Sequence, residues 1–79
     1  MVFKGTTKHE GYEKAEYIAD RLDEHGFDVN FWWYETLEQY VFHLRYRTIG
    51  CFLHVSIDRL TEHIERIDEV IKQIEEMIM

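Results

Sequence analysis

The feature that most constrains this sequence is a row of aliphatic residues near its C-terminal end. The members of the row alternate between four and three positions apart: Leu60, Ile64, Ile67, Ile71, Ile74 and Ile78. Side chains at this spacing share one face of an α-helix. The pattern predicts one continuous amphipathic helix that begins at Asp58, a residue type suited to the N-cap, and whose isoleucines pack on another element.

A second helix is predicted near the N-terminus. Thr7 and Glu10 have the spacing of a capping box, and apolar residues then recur at helical intervals up to Leu22. The helix is expected to run from Thr7 to about His25. Gly26 follows at the position where a helix often ends in a residue with positive φ.

Between the two helices, apolar residues alternate with polar ones in three stretches, residues 27–34, 40–47 and 51–57. A period of two is typical of β-strands with one buried face. The residues expected to face the core are Phe27, Val29, Phe31, Trp33, Tyr40, Phe42, Leu44, Tyr46, Cys51, Leu53, Val55 and Ile57. The third stretch is also compatible with the beginning of the last helix, so its assignment stays open between strand and helix.

The order of these elements predicts a single α+β domain over residues 1–79. We expect an αβββα two-layer fold, in which a three-stranded antiparallel sheet carries both helices on one face. The chain has no proline and no linker-like segment that would divide it.

The charge of the chain restricts its binding partners. Its formal net charge is −7, and most of the acidic residues fall in the two predicted helices. This charge disfavours direct binding to nucleic acid or to anionic membranes and favours a protein partner with a basic surface. A single cysteine and the lack of a long apolar run lead us to expect a cytoplasmic protein.

Catalytic and metal-binding motifs are not recognisable in the sequence. Cys51 is predicted to face the core as a small apolar residue, and the four glycines are scattered and form no phosphate-binding loop. His43 and His54 share the outward face of the predicted sheet, but no zinc-binding motif accompanies them. We therefore expect a non-enzymatic protein without a cofactor or a metal.

The αβββα order is also that of double-stranded-RNA-binding domains. Those domains bring lysines at the start of their last helix to the phosphates, whereas this chain has Asp58, Arg59, Leu60, Thr61 and Glu62 there. Only the topology is shared.

The outward face of the predicted sheet is the first candidate binding surface. It combines aromatic residues with arginine and histidine, the composition of protein interface cores. The predicted contact residues are Trp32, Tyr34, His43, Arg45, Phe52 and His54. In the alternative interpretation, the N-terminal residues 1–6 cover this face.

The acidic helices are the second candidate, with Glu62, Glu65, Glu69 and Glu76 as predicted contacts. The leading hypothesis is an inhibitor that mimics nucleic acid and occludes the basic nucleic-acid-binding surface of another protein, a type that phages and other mobile elements often encode. The alternative is a small regulatory or assembly subunit that binds through the aromatic sheet face and the isoleucine-rich helix.

Homodimerisation is predicted from the length of the last helix. At 1.5 Å per residue it would extend about 33 Å, so its final turns would project beyond the sheet and expose apolar residues. The predicted dimer contacts are Val70, Ile74, Met77 and Ile78.

Overall fold

The computed structural model describes residues 10–78 and the backbone of residues 2–4. Four strands form one sheet: β1 Val2–Lys4, β2 Asp28–Tyr34, β3 Gln39–Tyr46 and β4 Ile49–Ser56. The α-helices are α1 Tyr12–Glu24, α2 Leu60–Glu65 and α3 Ile67–Ile78. Short 3₁₀ turns cover Glu35–Leu37 and Ile57–Arg59.

The sheet contains the predicted three antiparallel strands and one additional strand. In the antiparallel part, Phe31 of β2 faces Phe42 of β3, which in turn faces Leu53 of β4. The third stretch is therefore a strand up to Ser56, which resolves the alternative that the sequence left open. The short strand β1 pairs in parallel with β2 at the edge of the sheet and was not predicted.

The core lies between the sheet and the helices. All three α-helices cover the same face of the sheet, as predicted, because the strand residues that pack with them are those of the inward alternating set. Phe27, Phe31, Tyr40, Phe42 and Leu44 are at most 1% exposed. Alternating apolar residues on strands and a one-sided apolar stripe on helices can be buried together only in such a two-layer arrangement.

The predicted end of the N-terminal helix is confirmed. Gly26 has φ +93°. Its N–H donates to the Asp23 carbonyl at 3.0 Å, and the Phe27 N–H donates to the Leu22 carbonyl at 3.3 Å. This pair of bonds is a Schellman motif, and it turns the chain directly into β2.

The predicted start of the same helix is wrong. The helix begins at Tyr12, and Glu10 lies in the turn before it, while Thr7 lies outside the described residues. Gly11 precedes the first turn with φ +81°, a left-handed value that a continuing right-handed helix excludes.

The predicted single C-terminal helix is divided into α2 and α3. Arg66 separates them with φ −116° and ψ 26°. Asp58 is not the N-cap, since it belongs to the preceding 3₁₀ turn and no side-chain cap is formed. Apolar residues repeated every 3.5 positions drift slowly around a straight helix, because the helix has 3.6 residues per turn. The break at Arg66 turns the apolar residues of α3 back toward the sheet, so that Leu60 and Ile67 are both buried in the core.

Candidate protein-binding surface

The sheet surface opposite the helices, which we call the open face, is built from the outward residues of three strands. The strand register places these residues in four rows: Asp28, Arg45 and Gly50; Asn30, His43 and Phe52; Trp32, Val41 and His54; Tyr34, Gln39 and Ser56. All six predicted sheet contacts belong to this set, so the structure brings them together on one surface.

The aromatic rings of the open face contact one another. Phe52 is 60% exposed. Its ring stacks on the imidazole of His43, with centroids 4.7 Å apart and an interplanar angle of 22°. Trp32 approaches the same phenyl ring edge-on at 6.5 Å. Ring contacts of this kind restrict the rotamers that the side chains adopt.

Val41 forms the floor of a shallow depression at the centre of the open face. It is only 3% exposed although it points away from the helices. The depression has a volume of about 270 Å³, and its walls are formed by Trp32, Tyr34, Phe52 and His54. Sequence reasoning missed Val41 as a site residue. The available signal was its position on the central strand between two long side chains, Trp32 and His54.

The open face has little net charge. Asp28 and Arg45 are its only residues with a formal charge when histidine is neutral, and they face each other across β2 and β3. The imidazole Nδ1 of His54 lies 2.9 Å from Oε1 of Gln39, within hydrogen-bonding distance. A surface of this kind contrasts with the net charge of −7 on the whole chain.

The alternative that the N-terminal residues cover the open face does not hold for Val2–Lys4. Their backbone pairs with β2 at the edge of the sheet and extends it sideways. The rest of that segment lies outside the described residues.

The predicted acidic contacts lie in the helical layer, on the other side of the sheet from the open face. Glu62, Glu65, Glu69 and Glu76 are all exposed. Glu69 is already engaged, since its Oε2 accepts hydrogen bonds from Nε and Nη2 of Arg66 at 3.0 and 2.8 Å. The two predicted sets of contacts therefore form two separate surfaces.

The helical layer also carries cations that compensate part of its acidic charge. Arg21 on α1 bonds Asp68 on α3 at 2.7 Å and Glu24 at 3.3 Å. The ammonium group of Lys14 donates to the hydroxyl of Thr61 at 2.8 Å. These contacts tie the helices to one another and lower the effective negative charge that they present.

Most of the predicted dimer contacts pack against the core of their own chain. Ile74 is 7% exposed within the core, and Val70 and Ile78 pack against that core. Met77 alone of the four is well exposed, at 76%. The predicted overhang is wrong because α3 has only 12 residues and its apolar stripe lies along the protein's own core.

The cysteine and the possible metal ligands among the described residues lie in settings that do not suit nucleophilic attack or metal binding. Cys51 is partly buried on the core side of β4, and this burial raises the pKa of its thiol. Among residues 2–4 and 10–78, no three His, Cys, Asp or Glu side chains are grouped so that they could hold a metal ion. None of the helices in the described part of the chain is long and apolar enough to cross a membrane.

Comparison of the sequence with protein-family models and with curated proteins, and of the fold with solved structures, finds no match.

Proposed function

We propose that this protein is a non-enzymatic binding module that contacts another protein through its open face. The observation that carries the proposal is the cluster of the exposed Phe52 and Tyr34 with the half-buried Trp32 around the buried Val41, on a sheet face that none of the described residues covers. Burying such a cluster removes apolar surface from water at about 25 cal/mol per Å². Aromatic residues and arginine also dominate the energetic centres of protein interfaces.

The expected partner presents an apolar projection rather than a charged one. The depression over Val41 has the volume of roughly two or three aliphatic side chains and is lined by apolar and aromatic groups. Arg45 at one end of the open face and Gln39 at the other add polar groups to its margin. A single cysteine is consistent with a reducing compartment, and we place the protein in the cytoplasm.

The proposal assigns no catalytic step to the chain. A nucleophilic cysteine needs an electropositive, accessible setting that lowers the pKa of its thiol. Cys51 has the opposite setting, since burial raises the pKa of the thiol.

Affinity capture with paired variants tests the proposal. The wild-type chain is immobilised, exposed to lysate of the native or host cell and eluted with a salt gradient, and the bound proteins are identified by mass spectrometry. Phe52→Ala and Trp32→Ala should each reduce the affinity for a protein that the wild type retains by ten-fold or more, which corresponds to about 1.4 kcal/mol. Tyr17→Ala is the matched control, because Tyr17 is 45% exposed on α1 in the other layer. Equal retention by all variants would disprove a role of the open face.

A second candidate function is supported by the exposed acids of the helical layer. Glu62, Glu65 and Glu76 extend from α2 and α3 into solvent and could occlude the basic, nucleic-acid-binding surface of a partner. Such binding weakens steeply with salt, whereas apolar binding through the open face survives it. Changing the three glutamates to glutamine together should abolish binding if the acidic helices make the contact. The same change should leave binding intact if the open face makes it.

A further inference from the structure

The outer edge of β4 is an unprotected sheet edge. The sheet order is β1-β2-β3-β4, so β1 shields the far edge while no strand among the described residues pairs with β4 on its outer side. Proteins usually protect such an edge with lysine, proline, a bulge or a very short strand. β4 has eight residues, pairs with β3 without a bulge and contains neither proline nor any residue with a formal charge.

The free hydrogen-bonding groups of β4 can be assigned from the hairpin that joins it to β3. The loop has two residues and closes on the pair Tyr46 and Ile49. Such loops close on a hydrogen-bonded pair, and the bonding direction then alternates along the strand. The residues whose N–H and C=O groups point outward are therefore Gly50, Phe52, His54 and Ser56. The close stacking of Phe52 on His43, at 4.7 Å, agrees with this, because side chains approach more closely in non-hydrogen-bonded pairs.

The core is also incompletely closed along this edge. The inward residues of β2 and β3 reach 0–1% exposure at Phe31 and Leu44, whereas Ile49 of β4 is 44% exposed. Cys51 and Leu53 are only partly buried, and so is Ile64 of α2, the helix that contacts β4 in the helical layer. The edge therefore exposes apolar side chains on two levels, one in the sheet and one in the helical layer.

We propose that β4 pairs antiparallel with β4 of a second copy of this chain, about a two-fold axis at the centre of the strand. An added peptide strand could satisfy the outward backbone groups, but it has no helical layer to cover Ile64. A second copy brings both a sheet and a helical layer, so its sheet can continue the first sheet while its helices meet the first helical layer. Because β4 contains no residue with a formal charge, the two paired strands place no like charges opposite each other.

The dimensions are compatible with a stable homodimer. A strand of eight residues is about 27 Å long at 3.4 Å per residue. A standard interface takes about 800 Å² from each partner. Strand pairing and the half-buried residues along the edge would both contribute to this area. Pairing through β4 replaces the pairing through α3 that the sequence suggested, and it does not depend on the proposed partner of the open face.

The charge of the chain gives this dimer a distinctive salt dependence. Each copy carries a formal charge of −7, so the two copies repel each other at low ionic strength. The contacts across β4 are apolar and backbone contacts, which salt does not screen. Association should therefore strengthen as salt is added.

Sedimentation of the purified full-length chain tests the inference without any partner. At high protein concentration the mass should approach twice 9.7 kDa, and the dissociation constant should fall with added salt. Phe52→Lys places two like charges near the two-fold axis and should weaken the dimer at least ten-fold. Tyr34→Lys is the control, because it changes an exposed aromatic residue of the open face on β2, which β3 separates from the β4 edge, and it should leave the dimer intact.

Amide hydrogen exchange provides a second measurement that requires no substitution. The N–H groups of Phe52 and His54 should exchange more slowly as the protein concentration rises. A wild-type chain that stays monomeric, a dimer that survives Phe52→Lys, or equal dissociation of both variants would overturn the inference. If Phe52→Lys dissociates the dimer while Tyr34→Lys keeps the dimer and loses the partner protein, the β4 edge and the open face are two distinct interaction sites.

Discussion

Two glycines with left-handed φ values allow backbone strain to be separated from steric crowding. Gly11 has φ +81° and Gly26 has φ +93°. A Cβ atom added at Gly11 would lie 2.6 Å from Cδ1 of Leu60, whereas at Gly26 its nearest neighbour would be Cε2 of Tyr46 at 3.9 Å. Alanine therefore meets strain at both positions but a collision only at Gly11.

The expected losses follow from these distances. Left-handed backbone costs an L-residue about 1–2 kcal/mol, partly offset by the lower entropy of the unfolded alanine chain, so Gly26→Ala should lose about 1 kcal/mol. At Gly11 the methyl group must displace Leu60, which is 1% exposed and enclosed in the core. Overpacking of this kind adds about 2 kcal/mol, for a total of about 3 kcal/mol.

Urea unfolding followed by tryptophan fluorescence and circular dichroism measures the difference. In a domain of this size, each kcal/mol also lowers the melting temperature by roughly 6 °C. The double variant Gly11→Ala with Leu60→Ala should lose less than the sum of the two single variants, because the shortened side chain makes room for the methyl group. Equal losses for Gly11→Ala and Gly26→Ala would refute the packing of α2 against the start of α1.

Three further predictions concern stability. In urea unfolding, Val41→Ala should lower the free energy of unfolding by roughly 2 kcal/mol and Phe52→Ala by about 1 kcal/mol or less. The reason is that Val41 is buried and Phe52 is largely exposed. A larger loss for Phe52→Ala than for Val41→Ala would contradict the architecture of the open face. Asp68→Asn removes the ion pair between α3 and α1 and should cost at most about 1 kcal/mol, a loss that disappears in concentrated salt. Burial, with a smaller contribution from Tyr12, raises the pKa of Tyr40, so the unfolded chain ionises first as the pH rises. The free energy of unfolding should therefore fall through the alkaline range, and Tyr40→Phe should reduce that fall.

The strands were predictable from the sequence because burial on one side of a sheet imposes a period of two. The alternation in residues 27–34, 40–47 and 51–57 identified the inward and outward sets, and it placed all six predicted sheet contacts on the open face. The end of α1 was predictable for a local reason, since Gly26 supplies the positive φ that the Schellman motif needs.

The remaining features depend on tertiary contacts. Strand β1 has only three residues, too few to show a period, and it exists by pairing with β2. The break at Arg66 interrupts an apolar stripe that continues unchanged in sequence, so the pattern gives no sign of it. The burial of Val41 requires the strand register, which sets Trp32 and His54 on either side of it.

Site-specific photo-crosslinking tests the central claim, that the open face binds the partner, most directly. A photoreactive phenylalanine replaces Phe52 in one sample and Glu65 in another, and both are irradiated in lysate. Phe52 and Glu65 are both exposed, on opposite sides of the sheet. We expect the Phe52 position to capture a distinct protein, with the Glu65 position giving background only. Capture from the Glu65 position alone would contradict the claim and favour binding through the acidic helices.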